Sequence, residues 1–479
     1  MAKRVSLAVF LLLTCLAAAD EGMWLFNTFP KDKTKTKYGF APSQEWLDHV
    51  RLSSVRFNNG GSGSFVSADG LTFTNHHVGA KCLQELSTEQ RDYMKAGFYA
   101  RSREEEARCP DLELNVLREI DDVTARVRGA ERPGMPAAEI GKAQRAAMSA
   151  IEEECTRKTG LRCDVVKLYA GGLYHLYKYK KYTDVRLVFA PEFDIAFFGG
   201  DPDNFTYPRY DLDIAFFRIY ENDTPVKLEH YLKWANGGVR EGELVFVSGN
   251  PGGTDRNQTV AQLDFLREVE YPFLVESLKE RIKMLEQFSS KSGEHARKAQ
   301  RDLFSLENGF KAYSGEYQAL REKALIDGKA TEERGLRAFV TADPKLKAEV
   351  GGAWEEIEQS VKVHREIFLP YVFLERRAGF RGTLNRIARD LFRLGAERQK
   401  PNSDRLREYR ESALDSLKQT LLSTAPIYKD LETAIFAHSL GEMKRRLGNE
   451  HPVVKQVLGD KSPEEAAREL IAGTKLDDV

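Results

Sequence analysis

The chain has 479 residues, 42% of them hydrophobic and 30% charged, enough for two or three domains of a globular protein. Lysine and arginine number 72 against 73 aspartates and glutamates, for a formal net charge of -1. That balance, with no basic stripe, excludes the usual profile of a nucleic-acid binder, and no run beyond the first residues approaches the length of a membrane-spanning helix.

Residues 1–19 read as a secretory signal peptide. Lys3 and Arg4 supply a positive start, Leu7 to Ala18 is apolar apart from Thr14, and Ala17-Ala18-Ala19 is a small-residue cleavage site before Asp20. A lipid anchor on Cys15 is the weaker alternative, because Thr14 stands where a smaller residue is usual. The expectation is a protein exported across the inner membrane, with a periplasmic location. Export permits disulfides among Cys82, Cys109, Cys155 and Cys163; Cys155 and Cys163 would close a short loop and Cys82 and Cys109 a larger one. Unpaired buried thiols are the alternative. Histidines do not cluster near the cysteines, so a zinc site is not expected.

Residues 20–230 are expected to be rich in short strands. Val55 to Phe57 and Gly63 to Ser67 are strand-like, and Asp69-Gly70 turns the chain into Leu71-Thr72-Phe73-Thr74, the clearest hairpin. Residues 86–107 are polar and compatible with helix. Strand character returns over 112–124, a helix is predicted from Ala137 to Thr156 between Pro136 and Gly160, and 164–199 and 213–221 are strands again. A further strand is predicted at 243–248, before the turn Pro251-Gly252-Gly253. From about 270 the composition shifts to Glu, Lys, Arg, Leu and Ala, with Leu274, Leu278, Ile282 and Leu285 at helical spacing, so 271–479 reads as a helical domain. Gly293, Gly309, Gly315, Gly328 and Asp343-Pro344 are its expected helix stops.

Two motifs carry chemistry. Thr74-Asn75-His76-His77 sets a histidine pair at the end of a strand, where an imidazole can be held against a nucleophile and a carboxylate. Taken alone, such a pair could equally be structural or metal-binding. Asp213 opens an apolar strand, and a carboxylate there can orient an imidazole by accepting its Nδ1 proton. Histidine before aspartate, both at strand boundaries, is the order of the chymotrypsin class.

With these motifs on view, the sequence resembles the bacterial exported dipeptidyl-peptidases of serine peptidase family S46. Glu21-Gly22-Met23-Trp24 is similar to the start of the mature family members, Thr74 to His77 to their histidine motif, Gly199 to Asp213 to the long motif around their aspartate, and Gly249 to Arg256 to a glycine-rich turn. The resemblance implies His77 as catalytic base and Asp213 as its partner. It implies an α+β fold: a chymotrypsin-like double β-barrel, with 231–270 as the first strands of the second barrel and an α-helical cap inserted into it. The implied reaction removes dipeptides from oligopeptides with a free N-terminus, with Asn204, Phe205 and Asn308 binding that terminus, no cofactor, and a homodimer as the assembly. Phe205 stands where relatives usually carry tryptophan, and Val78 where a cysteine is common. Asn308 also reads as a helix C-terminal cap before Gly309.

The family places its nucleophile in a Gly-Asn-Ser-Gly-Ser-type segment, and no such segment follows Asp213. The chain is therefore expected to lack the nucleophilic serine and the rest of the second barrel. A noncatalytic peptide-binding protein or inactive fragment is one alternative; an HtrA-like endopeptidase is another.

Overall fold

The structure, a computed structural model, describes residues 22–252 and 257–477. The expected signal peptide, Glu21 and the stretch Gly253 to Arg256 lie outside the described residues.

Eleven strands form one sheet: β1 Ser54–Phe57, β2 Ser62–Phe65, β3 Leu71–Thr74, β4 Phe98–Tyr99, β5 Ala107–Arg108, β6 Leu114–Asp122, β7 Arg162–Leu168, β8 Leu173–Tyr182, β9 Asp184–Ala190, β10 Ala215–Glu221 and β11 Thr224–Pro225. The order is β4-β9-β10-β3-β2-β1-β6-β8-β7, with β11 beside β10 and β5 beside β9, every pair antiparallel. Strand periodicity explains the core it builds. Ala215, Phe217 and Ile219 alternate inward along β10, and Val185 and Leu187 along β9; they meet Val55, Phe57, Phe65 and Leu83. Each such large side chain contributes about 1.5–3 kcal/mol when fully buried.

This sheet corrects the expected double β-barrel. Closure requires the two end strands to hydrogen-bond each other. β4 has only two residues, β7 lies at the other end of the order, and the two do not pair, so the sheet stays open. The β7 end is covered instead by the helix Ala137–Thr159, whose Glu152 accepts the Val165 N–H at 2.8 Å and whose Cys155 is bonded to Cys163 of β7. The second-barrel strands are also not formed among the described residues. Residues 243–248 have no paired neighbour, and Val247 is 99% exposed. A lone extended segment has no ladder to join.

The predicted helix at 137 begins after Pro136 as expected and ends at Gly160, whose φ of +67° is the left-handed cap glycine tolerates. Residues 86–107 are not one helix but two short turns, Tyr93–Ala96 and Arg103–Glu105, with β4 and β5 after them in that order. From Val260 onward the chain is helical. Two of its helices run through expected stops: Gly293–Leu320 includes Gly309 and Gly315, and Lys323–Ala342 includes Gly328. An interior glycine costs only about 1 kcal/mol, which packed apolar faces outweigh. The break at Asp343-Pro344 does form, with the Asp343 carboxylate accepting the N–H groups of Lys345 and Leu346. Phe265, Phe368, Phe373, Leu440, Met443 and Ala467 make the main helical core. No helix among the described residues is long and apolar enough to cross a membrane.

Specific polar contacts join the two halves. Gln84 donates to the Arg297 carbonyl at 2.8 Å, Ser416 donates to Glu113 at 2.8 Å, and the buried Arg410 guanidinium reaches Glu152 at 3.2 Å.

Candidate active site

The site is assembled where β3 meets β10. Thr74 pairs with Ala215 across that boundary, and the Thr74 hydroxyl is tied to the Ser62 carbonyl at 2.7 Å. β3 ends there, and Asn75 opens the helix His76–Leu86. The same register sets Asp213, two residues before Ala215, beside the first turn of that helix. Gly79 lets the helix come close: a Cβ there would stand 3.0 Å from the Phe217 ring and 3.2 Å from the Ala215 side chain.

His77 Nδ1 lies 2.7 Å from Asp213 Oδ2, and the His77 backbone N–H donates to Asp213 Oδ1 at 3.0 Å. Asn75 Nδ2 adds a third donor to the carboxylate at 3.1 Å. Burial alone would raise the Asp213 pKa; the ring and backbone hydrogen bonds from His77, with its charge, outweigh it and hold the carboxyl below its ordinary value. Because the carboxylate accepts at Nδ1, the proton of a neutral His77 sits there, and Nε2 is left as the basic nitrogen. The two histidines are not equivalent. His77 is exposed, whereas the His76 ring is buried against Phe193, and burial lowers its pKa toward the neutral form.

A cavity of about 180 Å³ opens on His77 and Asp213. The same cavity is lined by Asn204 and Asn308, which meet at 3.0 Å, Asn204 Nδ2 donating to Asn308 Oδ1. Arg209 Nη1 donates to Asn204 Oδ1 at 2.9 Å, and its Nε lies 3.1 Å from Asp211. Phe193, Phe197 and Phe304 form the apolar wall, Phe197 and Phe304 edge to face at 4.7 Å. The segment carrying Asn204 is held to the helix Gly293–Leu320 by Lys311, which donates to the carbonyls of Asp201 and Asn204. Asn308 therefore lies within a long helix and is not a C-terminal cap.

With histidine neutral, Asp211 and Asp213 against Arg209 leave one net negative charge on the lining, suited to a cation. Each asparagine carbonyl has two lone pairs and uses one, so both can still accept. Among the described residues the lining contains no serine, threonine or cysteine, and no cluster of three or more His, Cys, Asp or Glu could hold a metal.

The structure thus brings four expected residues together: His77, Asp213, Asn204 and Asn308. Phe205 is not in the lining; its backbone is left-handed, with φ +65°, and the residue is 62% exposed. Ser62 accepts the Asn250 N–H at 2.7 Å. Cys82 is bonded to Cys109 on the sheet side, and Val78 packs against Gly61 in their vicinity. The sequence reading missed Arg209, Asp211 and Phe304. The first two lie inside the Gly199–Asp213 motif, and Phe304 is four residues before Asn308, on the same helix face.

The family described as Peptidase S46 matches residues 19–479. The Asp/Glu-specific dipeptidyl-peptidase of Shewanella putrefaciens is 30% identical over 429 residues, covering 86% of this chain and 58% of that protein. Dipeptidyl-peptidase 7 of Capnocytophaga gingivalis is 29% identical over 366 residues, covering 73% and 51%. The chain therefore spans between about half and three fifths of the length of these relatives. The crystal structure of Porphyromonas endodontalis DPP11 in complex with the dipeptide Arg-Glu superposes with a TM-score of 0.73 at 22% identity, covering 96% of this chain and 69% of that one, a likeness of fold.

Proposed function

The chain belongs to the peptidase S46 family, and on that footing we propose that it serves a serine-type dipeptidyl-peptidase, supplying the base, its orienting carboxylate and the seat for the substrate's free N-terminus. The observation that carries the reading is the His77–Asp213 pair at 2.7 Å opening on the same cavity as the Asn204–Asn308 pair.

In this mechanism the substrate α-ammonium donates to Asn204 Oδ1 and Asn308 Oδ1, drawn by the net negative lining. His77 Nε2 takes the proton of a serine hydroxyl as its oxygen attacks the second peptide carbonyl; Asp213 steadies the imidazolium. The leaving amine takes that proton from His77, an acyl-enzyme holds the dipeptide, and water attacks the ester to release it. The serine has to reach Nε2 from outside the cavity lining described above, so its source belongs to the proposal. Export to the periplasm is part of the same reading.

A second reading, peptide binding without turnover, is favoured by that hydroxyl-free lining. One experiment separates them. A tripeptide with a free N-terminus and its N-acetyl form are titrated calorimetrically, and release of a dipeptidyl fluorophore is followed in parallel. Preference for the free amine with fluorophore release supports the peptidase; the same preference without release supports the binder. Equal binding of the two tripeptides, or none, sinks the amine-reading site, and cleavage of the acetylated form points to an endopeptidase.

A further inference from the structure

A second cavity, of about 300 Å³, lies within the helical half, between the helices Tyr271–Ser289, Gly293–Leu320 and Lys429–Leu447 and the segment leading into Thr383–Glu397. It is separate from the His77 cavity although one helix contributes to both: Phe304 and Asn308 face the first, Arg301 and Ser305 the second.

Its lining is dominated by arginine: Arg281, Arg301, Arg376, Arg377, Arg381 and Arg386. Among the described residues only two carboxylates, Asp302 and Glu432, share it. Glu432 is already engaged, accepting the N–H groups of Thr383 and Leu384 at 2.9 Å each, and Asp302 accepts from Arg301 at 3.1 Å. Arg376 and Arg386 lean outward to Glu270 and Asp390, both at 3.4 Å. Setting Asp302, Glu432, Glu270 and Asp390 against the six arginines leaves two positive charges in excess; Glu442, which also acts on Arg381, is paired with Arg445, and Arg281, Arg377 and Arg381 have no ion-pair partner among the described residues.

The electrostatics are those of a site awaiting a counter-charge. Burial, then the neighbouring Arg381, pull the Arg281 pKa down to about 9; burial, then Arg377, lower Arg381. Both remain cations at neutral pH. Burial also lowers His438, on the cavity wall, toward its neutral form. Partly buried charges without partners are costly, and a guanidinium fork matches a phosphate or carboxylate group bidentately.

We propose that this cavity binds a small multivalent oxyanion, of the phosphate or polycarboxylate class, held by Arg281, Arg377 and Arg381. A monovalent ion would neither fill the space nor offset three guanidiniums. The site stands independently of the peptidase reading.

The test titrates inorganic pyrophosphate, and separately citrate, into the full chain by calorimetry, with ionic strength held constant by sodium chloride. Saturable binding near one per chain by either anion is expected, and the tighter of the two identifies the phosphate or the carboxylate class. The double substitution R281Q/R381Q should weaken that binding at least tenfold, while its unliganded melting temperature stays level or rises because two like charges are gone. Should that variant fail to fold, R377Q alone must weaken binding severalfold. No saturable binding of either anion, or binding undiminished by these substitutions, overturns the proposal.

Discussion

Asn204 and Asn308 lie 104 residues apart in sequence and share a hydrogen bond of 3.0 Å, joining the loop before β10 to the middle of a helix in the other half of the molecule. The contact is polar and lines the same cavity as the His77–Asp213 pair, so the helical half contributes to that cavity.

Asn308→Ala removes one carbonyl acceptor from that seat while leaving the helix intact, since alanine is the better helix former. A hydrogen bond to a charged group is worth about 1.5–3 kcal/mol, so the Kd for a peptide with a free N-terminus should rise about 10- to 100-fold. The N-acetyl peptide should show no such change. Calorimetric titration of the two peptides checks this.

Asp213 gives a pH signature. Its pKa is depressed in the folded state, so the carboxylate contributes stability that is present above its unfolded value of 3.8 and is lost as pH falls through the lower folded value. Urea unfolding should find Asp213→Asn less stable than the parent at pH 7, with the gap narrowing as pH falls toward 3. A gap that is constant with pH would show that the carboxylate's charge is not what the His77 contacts reward.

Glu85 has the opposite sign. Burial, against the charge of Lys81, raises it from 4.5 to about 7. The folded state then holds a proton that the unfolded state releases, so this group favours folding at acid pH, and stability drains away as pH rises from 4.5 to about 7. Glu85→Gln should leave stability at pH 4.5 nearly unchanged and raise it at pH 8 by about 1–3 kcal/mol. Lys81 keeps its 2.6 Å contact with Asp111 in the variant. Urea melts at the two pH values decide it.

The two disulfides should differ in what they contribute. Cys82 and Cys109 are separated by 27 residues, Cys155 and Cys163 by 8. Chain-entropy arguments give about 3.5 kcal/mol for the longer loop and about 2.5 kcal/mol for the shorter. Paired serine substitutions, measured by urea unfolding under nonreducing conditions, should follow that order.

By itself, the sequence determined the elements whose information is local. The Asp69-Gly70 hairpin, the helix between Pro136 and Gly160, and the change to helix, expected from about 270 and found from Val260, are written in turn residues, caps and periodicity, each spanning a few neighbours. His77 and Asp213 were legible because each sits at the edge of a readable strand. Only the tertiary structure decided that the sheet stays open, because closure depends on whether two end strands distant in sequence pair, and no periodicity records that. It also decided that residues 243–248 form no strand, that Gly309 and Gly315 lie inside a helix, and that Arg209 and Asp211 line one cavity with Phe304 and Asn308. In each case the deciding contribution is contact between segments far apart in the chain, which outweighs a propensity of about 1 kcal/mol per residue or less.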